Sequence, residues 1–183
     1  MPRIEPTTID QAPEATKETL RGIKEKLGKV PNLMATMGKS PATLNFYVTA
    51  KEALGTGTFD DKVRESLALA IANFSGCDYC ASAHNAIGKQ MGLRDDEREM
   101  NRKGQSSDPK TQACIDLARE IVDTRGWVSD EGFEKAKGQG LTEEEILELV
   151  TVTMFNLFTN YMNHFIETEN DFPKVELHES AAV

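Results

Sequence analysis

Helix-start and helix-stop residues punctuate this 183-residue chain at intervals that suit helices and leave almost no room for strands. Ser40-Pro41 and Asp108-Pro109 each set an oxygen acceptor before a proline whose fixed φ suits a first helical turn. Thr142 with Glu145 forms a capping box, and Ser129 opens a shorter segment. Glycines at 28, 55, 92, 104 and 138 supply the stops. Between these marks apolar residues recur at helical spacing, as in Cys114, Leu117, Ala118 and Ile121. The pattern predicts an all-α fold, a packed helical array in a single domain. Its expected helices span about 17–27, 41–54, 60–74, 81–91, 95–102, 109–124, 129–138 and 142–168, with a short turn of helix after Pro31. The expected organisation is an N-terminal arm and short helix (1–27), a helical domain (28–173) and a tail (174–183). Residues 1–16 read as extended over the surface. From Asp171 onward the chain reads as ordered only by contact with a neighbour, or not at all.

Charge narrows the function classes. A net charge of −9 and a pI near 4.9 argue against a nucleic-acid or anionic-membrane surface. No apolar run approaches the roughly 18 residues that span a bilayer. The start, Met1-Pro2-Arg3-Ile4-Glu5-Pro6, lacks the layout of a secretion signal, so a cytoplasmic location is expected. There cysteines stay mostly reduced, and a CxxC pair points to catalysis or metal binding rather than to a structural staple. No glycine-rich phosphate loop is present, and no bound organic cofactor is expected.

The chemistry concentrates in Cys77-Asp78-Tyr79-Cys80 with His84 four residues on. The preceding Asn73-Phe74-Ser75-Gly76 can break one helix, which sets both thiols in the first turn of the next. Free backbone N–H groups and the positive end of the helix dipole favour a thiolate there. Cysteines at i and i+3 lie close enough to close a disulfide. Cys77, Cys80, His84, Ile87 and Met91 share a stripe whose apolar end is expected to enter the core while its cysteine end meets a pocket. Glu65 precedes Cys77 by twelve residues, and its one-turn neighbours Ala68, Leu69 and Ala72 turn it toward the packed side. A carboxylate there needs a partner, and His84 or an intervening water is the natural candidate. Glu, His and thiol then make a proton relay. One cysteine attacks a peroxide, becomes a sulfenic acid and condenses with the other. Spacing does not fix which thiol attacks, though the proximity of His84 tips the assignment to Cys80.

Other readings compete. Cys77, Cys80 and His84 supply three zinc ligands, with His164 or Cys114 as a distant fourth. The cysteines could be core fillers, and Glu65 a structural cap. Cys114 reads as core, Trp127 as a packing anchor, His178 as solvated, and His164 as a core or interface residue with a possible accessory role. Glu145 and His164 repeat the nineteen-residue spacing of Glu65 and His84, a weak hint of two similar hairpins.

With these residues assembled, the chain resembles the alkylhydroperoxidase D / carboxymuconolactone decarboxylase superfamily, and more closely its peroxidase-related branch. The carrying pattern is Glu65, then Cys77-x-x-Cys80-x-x-x-His84, supported by Val30-Pro31-Asn32-Leu33, Ser40-Pro41, Phe158 to His164 and Asp171-Phe172-Pro173. The resemblance implies an all-helical alkylhydroperoxidase D-like fold that assembles into homotrimers or homohexamers, with the CxxC near a subunit interface. It implies that Cys80 attacks a hydroperoxide, Cys77 resolves, and Glu65 with His84 removes the proton, in part through water. Tyr79 stands where the alkylhydroperoxidase D enzymes carry a histidine, which weakens any transfer of their lipoamide-bearing reductant. Tyr79 could donate a hydrogen bond but not act as a base near neutral pH. The expected partners are a hydroperoxide and an unidentified thiol or dithiol reductant. A decarboxylase acting on a lactone acid is the rival enzyme and would want an anion-binding arginine, for which Arg64 is the nearest candidate. A zinc-stabilised, non-enzymatic oligomer is the other alternative.

Overall fold

A computed structural model describes residues 1–178, and within them the chain forms nine helices and no strand. They are α1 (Glu14–Leu27), α2 (Asn32–Met37), α3 (Pro41–Leu54), α4 (Asp61–Phe74), α5 (Asp78–Gln90), α6 (Asp95–Arg102), α7 (Pro109–Thr124), α8 (Asp130–Gly138) and α9 (Glu143–Ile166). Helix α4 is the axis of the packing. Every residue from Ser66 to Asn73 is buried, because α5, α6, α7 and α9 close on it from different sides. Ala68, Ala70 and Ala72 let those neighbours approach, while Leu67, Leu69 and Ile71 fill the spaces between them.

Two apolar clusters share this axis. One gathers Leu67, Ile71, Ile115, Ile121, Leu149 and Val152, among others, from α4, α7 and α9. The other gathers Leu20, Leu44, Tyr47, Ala72 and Ile166 around the two cysteines of α5. The anticipated caps form: Ser40, Asp108 and Ser129 side chains each accept a backbone N–H, and Thr142 with Glu145 closes a full capping box.

Several expectations need correction. The first helix begins at Glu14, three residues before Lys17, because the buried Thr16 hydroxyl donates to the Gly38 carbonyl at 2.8 Å. The arm ahead of it is docked, with Ala12 buried and the Arg3 N–H on the Ile166 carbonyl at 2.7 Å. Trp127 is 86% exposed, on a turn beyond the core, and anchors nothing. The tail, expected to depend on a neighbour, returns along its own chain. Val175 and Leu177 pack on the second cluster, and the His178 N–H donates to Asn73 Oδ1 at 2.8 Å. His178 is therefore half-buried rather than fully solvated; its ring lies 3.0 Å from Glu99. The last residues of the expected tail, 179–183, lie outside the described residues. No helix among the described residues is long and apolar enough to cross a membrane.

Candidate functional site

The site begins at the turn Ser75-Gly76-Cys77, between α4 and α5. Gly76 adopts φ +68°, and its N–H donates to Asn73 O at 3.1 Å while the Cys77 N–H donates to Ala72 O at 2.8 Å. This is a Schellman closure of α4, and the left-handed conformation at its heart suits glycine. Cys77 has a second job. Its Sγ accepts the Cys80 N–H at 3.3 Å, so the residue that finishes α4 also caps α5. The helix accordingly starts at Asp78 rather than Ala81, and both sulfurs sit at its first turn.

Folding α5 back along α4 brings Glu65 and His84 together. His84 Nδ1 lies 2.8 Å from Glu65 Oε2, with both side chains largely sheltered. A carboxylate at that distance accepts a hydrogen bond from Nδ1–H, which orients the ring and leaves Nε2 turned away from Glu65. Glu65 stands where α4 enters the interior, one residue before its continuously buried stretch.

The thiols are enclosed. Cys77 is 1% and Cys80 3% exposed, with neither in a disulfide. Burial pushes the Cys80 thiol well above the ordinary range, and the adjacent Cys77 thiol pushes it further. A hydrogen bond from Asn163 on α9, Nδ2 to Sγ at 3.2 Å, works in the opposite direction. The net direction is upward, against the thiolate that the helix start was expected to favour. A groove of about 680 Å³ lies along α1 and the arm, lined by residues such as Ile9, Arg21, Lys24 and Asn32, and includes neither thiol. Nor does the apolar end of the stripe enter the core. Ile87 is half-buried and Met91 is 38% exposed, since α5 runs out past the second cluster.

Three residues around the CxxC segment escaped the sequence reading. Asn163 is one. Tyr47 on α3 is another: burial, then nearby Glu65 and Cys80, hold its hydroxyl well above the usual phenol range, so it stays protonated. The third is Asp171, which fixes Tyr79. The Tyr79 hydroxyl donates to Asp171 Oδ1 at 2.9 Å and accepts the Leu33 N–H at 3.3 Å, while Lys29 pairs with the same carboxylate at 2.8 Å. Burial above all keeps Tyr79 protonated. Asp171 and Leu33 offered no signal beyond their place in flanking motifs.

Other candidates are not assembled here. His164 is exposed beside Tyr161, and Cys114 is buried in the other cluster. Among the described residues no three His, Cys, Asp or Glu side chains converge as metal ligands. The Arg64 guanidinium is held by the Phe59 carbonyl and Asp61, so it is not free for a lactone carboxylate. Glu145 belongs to the α9 cap and to Lys110, which separates the second Glu–His spacing from the first.

Comparison with known proteins fits this geometry. Residues 41–120, the segment that carries α4, α5 and the CxxC, match the model of the carboxymuconolactone decarboxylase family. No curated protein matches the chain. Among solved structures it superposes on an uncharacterized peroxidase-related protein, an alkylhydroperoxidase AhpD core, from Ralstonia eutropha JMP134. The TM-score is 0.81 at 23% identity, covering 93% of this chain and 92% of that one. A peroxidase-related protein from Silicibacter sp. TM1040 gives 0.79 at 22% identity, covering 87% and 86%. The debrominase Bmp8, solved with 2,3,4-tribromopyrrole, gives 0.78 at 19% identity, covering 92% and 91%. The described residues thus share the all-helical fold of the AhpD-core structure, and residues 41–120 match the carboxymuconolactone decarboxylase family model.

The buried Cys80 carries a consequence for stability. Folded Cys80 keeps its proton where the unfolded thiol, near pH 8.5, begins to lose it, so the folded state binds more protons and stability falls as pH rises. Denaturant unfolding under reducing conditions should lose stability above that point, with a Cys80 share of up to about 1.4 kcal/mol per pH unit. Cys80→Ala should flatten the alkaline slope; an unchanged slope would show that Cys80 is not held protonated.

Proposed function

We propose that the chain is a thiol-dependent peroxidase, reducing hydroperoxides through Cys80 and Cys77. The observation that carries this reading is the Glu65–His84 contact at 2.8 Å on the helix pair that presents both thiols. A buried neutral thiol is a poor nucleophile, so removal of its proton is the step a catalyst must supply. His84, oriented by Glu65 through Nδ1, offers Nε2 to take that proton directly or through one water. Cys80 then attacks the terminal peroxide oxygen. The S–O bond forms as O–O breaks, the leaving alkoxide takes the proton, and an alcohol departs from a Cys80 sulfenic acid. Cys77, already against the Cys80 backbone N–H, displaces water from that sulfur and closes the disulfide. An external thiol or dithiol returns the pair to its reduced form. Tyr79, tethered to Asp171 and Leu33, serves this scheme by holding the first turn of α5 in place.

Peroxide consumption with dithiothreitol as reductant tests the scheme. Cys80→Ser should fall to background, and Cys77→Ser should complete one turnover and leave a sulfenate that dimedone captures on Cys80. Glu65→Gln and His84→Gln should each slow the reaction by about a hundredfold or more. Full activity in Cys80→Ser would overturn the proposal. Bromide release from 2,3,4-tribromopyrrole without peroxide turnover would instead transfer the debrominase chemistry of the structural relative to this site.

The same reading makes the protein a homo-oligomer. Leu147, Val150, Met154, Tyr161 and Phe165 leave large apolar area exposed along one side of α9, on the surface that a second copy would cover. Sedimentation should show an oligomer for the native chain and a smaller species for Met154→Glu; a monomer at every concentration would contradict this.

A further inference from the structure

We propose that Asn163 positions the Cys80 sulfur for ionisation and selects a peroxide that carries an O–H. Asn163 lies on α9, 4% exposed, where its Nδ2 donates to Cys80 Sγ at 3.2 Å. Its Oδ1 is buried without a partner. Both atoms sit on one amide carbon, so the unfilled acceptor stands beside the sulfur. A buried amide oxygen without a donor is uncommon, and a ligand or water that completes it is a standing explanation.

The orientation has chemical meaning. A neutral thiol would offer its S–H to an oxygen, whereas an N–H facing the sulfur suits the anion. The amide therefore complements the thiolate that forms once His84 has taken the proton. What reaches that sulfur next meets an acceptor, so the incoming molecule must bring a donor. The terminal O–H of a hydroperoxide does so, and a dialkyl peroxide does not. Held by Oδ1, that terminal oxygen is the one the sulfur attacks. The sulfur loses two electrons, the O–O bond breaks, and the leaving alkoxide takes the proton that His84 received. One turn earlier, Asn160 repeats the arrangement: Nδ2 donates to the Ile71 carbonyl at 3.4 Å and Oδ1 is likewise buried and unfilled. Two unfilled acceptors on one face of α9 extend the polar lining away from the sulfur.

The substrate half of this proposal rests on the peroxidase reading; the sulfur half does not. Alkylation of Cys80 by iodoacetamide, followed by peptide mass spectrometry across pH in the full chain, reads the sulfur alone. Cys77, Asp78, Tyr79 and Tyr47 also act on Cys80, and Glu65 and His84 pair close by. All six are retained in each variant, so differences report on residue 163. Asn163→Ala should raise the midpoint by about one unit, cutting alkylation below it about tenfold, and the near-isosteric Asn163→Asp should raise it further. Unchanged midpoints would overturn the positioning role. Above each midpoint, where the thiolate is fully formed, alkylation of Asn163→Ala should recover to the native rate while oxidation by hydrogen peroxide stays about tenfold slow. Complete recovery of both rates would overturn the O–H selection. If Asn163→Asp does not fold, Asn163→Ser, which keeps a donor and an acceptor, should fall between native and alanine in both readouts. Normal alkylation shifts with no peroxide oxidation in the native chain would sink the peroxidase reading and the substrate half while leaving the positioning role supported.

Discussion

One turn, Ser75 to Cys77, governs the arrangement of everything around the thiols. Gly76 at φ +68° lets α4 close on itself, and Cys77 then spends its backbone N–H on α4 and its sulfur on α5. A side chain at position 76 would meet no neighbour within 4 Å, so the demand for glycine is one of backbone conformation rather than space. The fold-back that follows sets Glu65 and His84 nineteen residues apart in sequence and 2.8 Å apart in space. Without that reversal the two helices would carry the same residues without the Glu65–His84 contact.

Burial sets the terms for reactivity. The same packing that encloses Cys77 and Cys80 keeps Cys80 protonated, so the site holds a reactive pair in a quiet form. A quiet thiol protects against indiscriminate oxidation but needs a base and a partner for the anion. In the proposed scheme Glu65 with His84 meets the first need, and the Asn163 amide the second. The same sulfur sits at a helix start, and burial still pushes its thiol upward, so a motif at a helix start need not be ionised.

Much of the fold was readable because helix ends are local. Ser40, Asp108, Ser129 and Thr142 announce their caps through neighbours within three or four residues, and the corresponding helices begin where those residues place them. The Glu65–His84 pair was within reach because two helices joined by a tight break must lie side by side. Asn163, Tyr47 and Asp171 were not, since each comes to the CxxC segment from a part of the chain remote in sequence. The tail misled for a related reason. Val175 and Leu177 alternate with Lys174 and Glu176, a pattern too short to reveal that an apolar surface on the same chain awaits it. Trp127 failed in the opposite sense, as size alone suggested an anchor at a position that points to solvent.

The account stands or falls on which sulfurs a peroxide changes. The most direct measurement treats the reduced protein with one equivalent of hydroperoxide, then counts thiols and maps disulfides by peptide mass spectrometry. Two of the three cysteines should be consumed, joined as Cys77–Cys80, with one alcohol released and Cys114 still free. Retention of all three thiols, or oxidation confined to Cys114, would contradict it.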